Sequence, residues 1–266
     1  MLRTHIRPPL RPGEPAPWVI AHRGNSAEAP ENTAAAFDAA FEAPIDGIEL
    51  DVQLSADGVP VIHHDATVAK LGGGRRRISS LNWSDLRTLD AGGWKSRRFR
   101  ALRLLTLADF LDRWGGRTWL LLEIKARPGD RDPEWHRALT ERTVEEVKRR
   151  NLEGGVLLLC FDDSVLRTAR RCAPRIRTVR NFAQLPRPEA RAREVLTELF
   201  AASVDVRALT PRFVELAHEL GRPVLAYTCN TQSAVKRALT AGADALMADD
   251  PAHLAALVRG GAVTPR

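Results

Sequence analysis

From Trp18 onward the chain alternates between short apolar runs and longer stretches in which apolar residues recur at helical spacing. A short apolar run bounded by turn residues marks a buried strand, and recurrence every three to four residues marks a helix with one face inward. Strands are predicted at residues 18–21, 47–52, 119–124, 156–161, 176–180, 203–206, 224–228 and 244–247. Helices are predicted at 32–42, 106–114, 134–150, 164–172, 189–200, 211–220, 232–241 and 251–258. A further strand at 59–63 folds back through the Asp57-Gly58 turn as a hairpin.

The order is eight successive β-then-α units, which implies a parallel sheet with helices outside it. Eight such units in one chain match the closed (β/α)8 TIM barrel. An open doubly wound sheet is the rival, but no Gly-rich fingerprint follows the first strand. The expectation is an α/β protein with a single barrel domain over 18–260 and a small insertion at 66–105, after the second strand. That insertion holds Gly72-Gly73-Gly74 and Arg75-Arg76-Arg77, with Leu71, Leu81, Trp83, Leu86, Leu89 and Trp94 to pack it as a cap over the mouth. The three arginines read as a solvated loop; the sharper alternative is contact with an anionic lipid surface or a charged head group. Residues 1–17 carry five prolines and no apolar period, and are expected to form an extended arm outside the core.

Composition narrows the class. The apolar fraction of 44% is that of an ordinary globular chain. No apolar run reaches the ~18 residues of a membrane span, so membrane contact is not expected. Cys160, Cys172 and Cys229 lie far apart with no CxxC spacing, which argues against a disulfide framework or a zinc finger. With no apolar leader at the N-terminus, the expected location is cytoplasmic. The net charge of +7 invites a nucleic-acid reading. The basic residues read as scattered along the chain and no nucleic-acid-binding motif is present, so the expected partner is a small molecule.

In a barrel the chemistry collects at the C-terminal ends of the strands. There stand His22-Arg23-Gly24, Glu49-Leu50-Asp51, His63-His64-Asp65, Glu123-Ile124-Lys125 and Thr228-Cys229-Asn230. Glu49 and Asp51, two apart on a strand, share a face, and Glu123 ends the neighbouring strand. Three clustered carboxylates repel one another unless a cation lies between them. A hard divalent ion fits: Mg2+ or Ca2+, with Mn2+ as a further candidate. Capping of strands, or pairing with arginines, is the bland alternative. His22 and His64 suit proton transfer near neutrality. As metal ligands they would instead favour zinc. His63 should face the other way. Arg23 and Lys125 suit phosphate oxygens, or else salt bridges to the carboxylates.

Taken in order and spacing, His22-Arg23-Gly24, Glu31-Asn32-Thr33, Glu49-Leu50-Asp51, Asp57-Gly58-Val59-Pro60-Val61, His64-Asp65 and Glu123-Ile124-Lys125 resemble the glycerophosphodiester phosphodiesterase family. The resemblance runs from about Trp18 to Val258. It implies a metal-dependent hydrolase of lipid and glycerol metabolism that cleaves glycerophosphodiesters to an alcohol and glycerol 3-phosphate. It assigns Glu49, Asp51 and Glu123 to the metal, and His22 and His64 to acid/base catalysis. Arg23, Lys125, Tyr227 and Asn230 would contact substrate. Glu31 and Asn32 would support the first loop, with Asn32 also a helix-cap candidate. Two departures touch the substrate end: Tyr227-Thr228-Cys229-Asn230 stands where the family usually has Trp before the Thr, and Ala248-Asp249-Asp250-Pro251 lacks a usual Thr. The alternatives are a phospholipase D-like lyase releasing a cyclic phosphate, or a non-catalytic phosphoester-binding barrel.

Overall fold

The structure, a computed structural model, describes residues 9–14, 16–126 and 132–259. In chain order its strands are β1 (Trp18–His22), β2 (Gly47–Leu54), β3 (Pro60–Ile62), β4 (Trp119–Ile124), β5 (Val156–Cys160), β6 (Arg177–Phe182), β7 (Ala201–Asp205), β8 (Val224–Tyr227) and β9 (Ala245–Ala248). The helices are α1 (Ala34–Ala40), α2 (Trp83–Leu86), α3 (Leu107–Trp114), α4 (Pro133–Arg149), α5 (Asp163–Cys172), α6 (Glu189–Thr197), α7 (Pro211–Glu219), α8 (Gln232–Ala241) and α9 (Pro251–Arg259).

Eight of the strands are parallel and close into a ring: β1 pairs with β2 on one side and β9 on the other, and β2 continues through β4 to β8 back to β9. β3 is antiparallel. It takes over the edge of β2 at Val52–Leu54, beyond the Gly47–Glu49 stretch that pairs with β1. Long β2 can therefore serve both the barrel and the hairpin. The chain is the closed barrel that the βα order predicts.

Alternation along the strands builds the interior. Trp18 and Ile20, Trp119 and Leu121, Leu157 and Leu159, Val179, Ala201, Leu225, and Ala245 and Met247 point inward and form one apolar cluster. The intervening residues, such as Ile48, Leu50, Leu120, Leu122 and Leu158, pack outward beneath the helices. Side-chain caps begin several helices: Thr106 and Asp109 make a reciprocal capping box on α3, and Thr231 accepts from the Ala234 amide at α8.

The arm expected at 1–17 differs where it is described; residues 1–8 and 15, like the expected domain limit at residue 260, lie outside the described residues. Leu10 is 2% exposed and joins the interior cluster, closing the N-terminal end of the barrel. The Gly13 amide donates to Asp244 Oδ1 at 2.6 Å and pins the segment there. Prolines set the backbone but leave Leu10 free to bury. Leu10→Ala is expected to lower unfolding free energy by about 2 kcal/mol, the low end for a buried leucine because a chain end relaxes. A urea titration measures it; an unchanged midpoint would return the segment to solvent.

The stretch between β3 and α3 is wound from short 3-10 turns and α2 around its own core of Val68, Leu71, Ile78, Leu81 and Leu86. Trp94, expected to pack in it, is 40% exposed: its Nε1 donates to the Ala91 carbonyl at 2.9 Å and Lys70 Nζ lies over its ring, while the rest of the ring stays open.

Candidate active site

One step beyond the apolar cluster, the inward positions turn polar: His22 on β1, Glu49 and Asp51 on β2, Glu123 on β4 and Asn181 on β6. Register brings them together, with His22 opposite Glu49 and Asp51 opposite Glu123. One carboxylate oxygen from each of Glu49, Asp51 and Glu123 lies within 4.8 Å of the other two. Glu49 and Asp51 are 2% and 1% exposed. Burial, then the charges of Asp51 and Glu123, push the Glu49 carboxyl well above its ordinary range. Burial would raise Asp51 too, but Lys125 and Arg23, each at 3.2 Å, together with a 2.7 Å bond from the Asn32 amide, hold it well below. Three carboxylates face two cations here, and Asp51 Oδ1 has the Lys125 ammonium at 3.2 Å but no hydrogen bond of good geometry. An all-oxygen cluster that is one positive charge short fits a hard divalent ion.

Each histidine of the mouth is held from behind by a carboxylate. His22 Nδ1 lies 2.6 Å from Asp249 Oδ1, which leaves Nε2 toward Glu49 at 3.9 Å. His64 Nδ1 lies 2.8 Å from Asp65 Oδ1. A carboxylate on Nδ1 selects the tautomer with the proton there and leaves Nε2 available as a base. His63 faces the other way, buried, with Nε2 3.2 Å from the Thr67 carbonyl, and burial lowers its basicity.

The loop after β1 turns sharply. Arg23 has φ 58° and Gly24 φ 80°. A Cβ on Gly24 would stand 2.6 Å from the Ala36 backbone, so only glycine lets α1 approach. The turn aims the Arg23 amide at Glu49 Oε2 (3.2 Å) and its guanidinium at Asp51 and Glu31. Lys125 Nζ reaches Glu123 at 2.7 Å and Asp51 at 3.2 Å. Both cations thus bridge the carboxylates and at the same time line the opening.

Two cavities meet at this point. One of about 530 Å³ extends past Phe161, Tyr227, Asp205 and Arg207. The other, about 1050 Å³, runs between Ala66, Arg77 and Ser79 of the insertion and Trp135 and His136 on α4. His64, Glu123 and Lys125 border both.

The glycerophosphoryl diester phosphodiesterase family model matches residues 22–253. The chain belongs to this family. A glycerophosphodiester phosphodiesterase of Caldanaerobacter subterraneus subsp. tengcongensis is 32% identical over 91% of this chain and 98% of its own length. Among solved structures, an Oleispira antarctica phosphodiesterase in complex with the product sn-glycerol-3-phosphate is 28% identical, with a TM-score of 0.80 over 91% of this chain and 97% of that one. A Silicibacter pomeroyi chain assigned to the same enzyme class superposes with a TM-score of 0.83 at 27% identity, over 93% and 95% of the two chains.

In this phosphodiesterase His22, Arg23, His64, Glu123, Lys125 and Tyr227 all border the first cavity, with Glu49 and Asp51 beneath it. Asn230 stands elsewhere. Its amide donates to Asp249 Oδ2 at 2.6 Å and its carbonyl accepts from the Asp249 amide at 2.9 Å, so both ends brace Asp249 and it lines neither cavity. Asn32 is not the helix cap. It has φ 60°, and the extended Thr33 caps α1. Two contributors carried no assigned role: Asp249 behind His22, and Asn181, whose amide donates to Glu123 Oε2 at 3.2 Å. The signal for Asp249 was its place directly after the last strand; for Asn181 it was inward alternation from Val179.

Proposed function

We propose that this phosphodiesterase hydrolyses glycerophosphodiesters to glycerol 3-phosphate and an alcohol, with His22 and His64 exchanging protons and one divalent ion held by Glu49, Asp51 and Glu123. The observation that carries the reading is the buried carboxylate triplet flanked by two imidazoles, each backed on Nδ1 by its own carboxylate. The glycerol 3-phosphate complex of the Oleispira phosphodiesterase supports the same product. Mg2+ and Ca2+, and after them Mn2+, suit the all-oxygen set.

When bound, such an ion polarises phosphoryl oxygens as a Lewis acid. The protein's own groups do the rest. Arg23 and Lys125 set positive charge beside the opening, where charge builds on the phosphoryl group during the reaction. One histidine takes a proton at Nε2 from the nucleophile, either water or the neighbouring glycerol hydroxyl (whose cyclic product a water then opens), and the other gives one to the departing alkoxide. The thiols of Cys160 and Cys229 do not compete as nucleophiles, since burial pushes both up to about 12.

Asp249 keeps the His22 ring in register. Burial alone would raise its pKa, but the His22 and Asn230 bonds hold the carboxyl below its usual range. Asp249→Asn is expected to lower kcat by roughly 10- to 100-fold with little change in KM, since the amide no longer selects the tautomer. An unchanged kcat would detach Asp249 from the chemistry.

The reading as a whole is tested by divalent-dependent release of glycerol 3-phosphate from a panel of glycerophosphodiesters, with products followed by phosphorus NMR. A cyclic phosphate as final product would make the chain a lyase, and no turnover of any diester would leave a binding barrel. Three unpaired thiols suit a cytoplasmic setting. Among the described residues, no helix is long and apolar enough to cross a membrane.

A further inference from the structure

The positive charge of this chain is concentrated, not scattered. Ten of the forty lysines and arginines, but two of the thirty-three acids, fall within residues 66–105, and the remainder carries thirty bases against thirty-one acids. The net charge is therefore a property of the insertion. Its small core turns the cations outward: Arg75, Arg76, Arg97, Arg98, Arg100 and Arg103 are all exposed. Among the described residues, Arg97, Arg98 and Arg100 have no carboxylate partner.

The segment around them is anchored at the mouth. Lys95 Nζ donates to the Ser26 carbonyl at 2.6 Å and Arg98 Nη2 to the Glu28 carbonyl at 3.1 Å, so it rests on the loop that carries Arg23. Trp94 lies in the same segment. It is 40% exposed, the one exposed large apolar side chain among the described residues. Its Nε1 donates to the Ala91 carbonyl at 2.9 Å, and Lys70 Nζ stands 4.6 Å from the ring centroid.

We propose that this face of the insertion docks the barrel mouth onto an anionic bilayer surface, with Trp94 entering the headgroup layer and Arg97 and Arg100 facing lipid phosphates. A cluster of cations that outnumbers its acids ten to two is drawn to an anionic leaflet. Charge by itself would suit any polyanion. Trp94 favours the bilayer, because an amphipathic ring exposed beside cations gains by moving into the interface between headgroup and acyl chain. The surface does not depend on which diester the mouth accepts.

The test is co-sedimentation of the intact protein with vesicles of equimolar phosphatidylglycerol and phosphatidylcholine, against phosphatidylcholine alone. Binding to the anionic vesicles is expected to be about tenfold tighter or more, and to weaken as salt rises. Arg97→Gln with Arg100→Gln should lose about tenfold on anionic vesicles, while turnover of a soluble glycerophosphodiester stays at the wild-type rate and reports an intact fold. Bromine-labelled lipid should quench tryptophan emission in the wild type but not in Trp94→Phe. Equal binding to both vesicles, or no effect of the double variant, would overturn the proposal. So would duplex DNA binding as tightly as anionic vesicles with Trp94→Phe indifferent on both, which would assign the face to polyanions in general.

Discussion

Glu49→Gln and Glu123→Gln are each expected to lower kcat/KM on the order of 10³-fold or more, because a divalent ion contributes several kcal/mol to a phosphoryl transition state. The two should differ in stability. Glu49 is buried among like charges, and burial with those charges drives its carboxyl toward the protonated form. A buried carboxyl held well above its ordinary range costs the metal-free fold free energy at neutral pH, so Glu49→Gln should leave the metal-free melting temperature unchanged or higher. Glu123 accepts from Lys125 and Asn181, and its replacement removes bonds without relieving burial of the same depth. The activity assay, thermal melts in chelator and calorimetric titration with Mg2+ or Ca2+ read the three effects separately. Full activity of either variant, or of the wild type in excess chelator, would remove the metal from the carboxylate triplet.

The barrel was legible in the sequence because its strands are short apolar runs set off by amphipathic helices. The expected limits of β4 and α8 coincide with the observed ones. Errors cluster where propensity and pairing disagree. The expected helix runs to Phe200 and the expected strand starts at Ser203, yet pairing with Val179 and Arg180 claims Ala201 and Ala202 for β7, and α6 stops at Thr197. Arg177 and Arg180 gave β6 a polar look and hid Asn181 at its far end. The carboxylates and histidines were legible because each ends an apolar strand. Asp249 gained no role because its bond to His22 spans 227 positions, and no local pattern announces a contact of that range. Leu10 was obscured by the prolines around it.

His22→Ala and His64→Ala are each expected to lower kcat on the order of 10²-fold or more, the usual contribution of a positioned acid or base. His63→Ala should leave kcat near the wild-type value. Its side chain is buried on the far side of the same segment, bonded to the Thr67 carbonyl, and any loss should appear as stability. The pair of histidines also predicts a pH–rate profile with two limbs, one lost with each alanine variant, since one imidazole must start neutral and the other protonated. A substrate with a much better leaving alcohol needs less help from the general acid. It should rescue one alanine variant and not the other, and so say which histidine donates. Equal rescue of both, or a dead His63→Ala beside an active His64→Ala, would overturn the assignment, because alternation along the strand end places only His64 at the opening that Glu123 and Lys125 share.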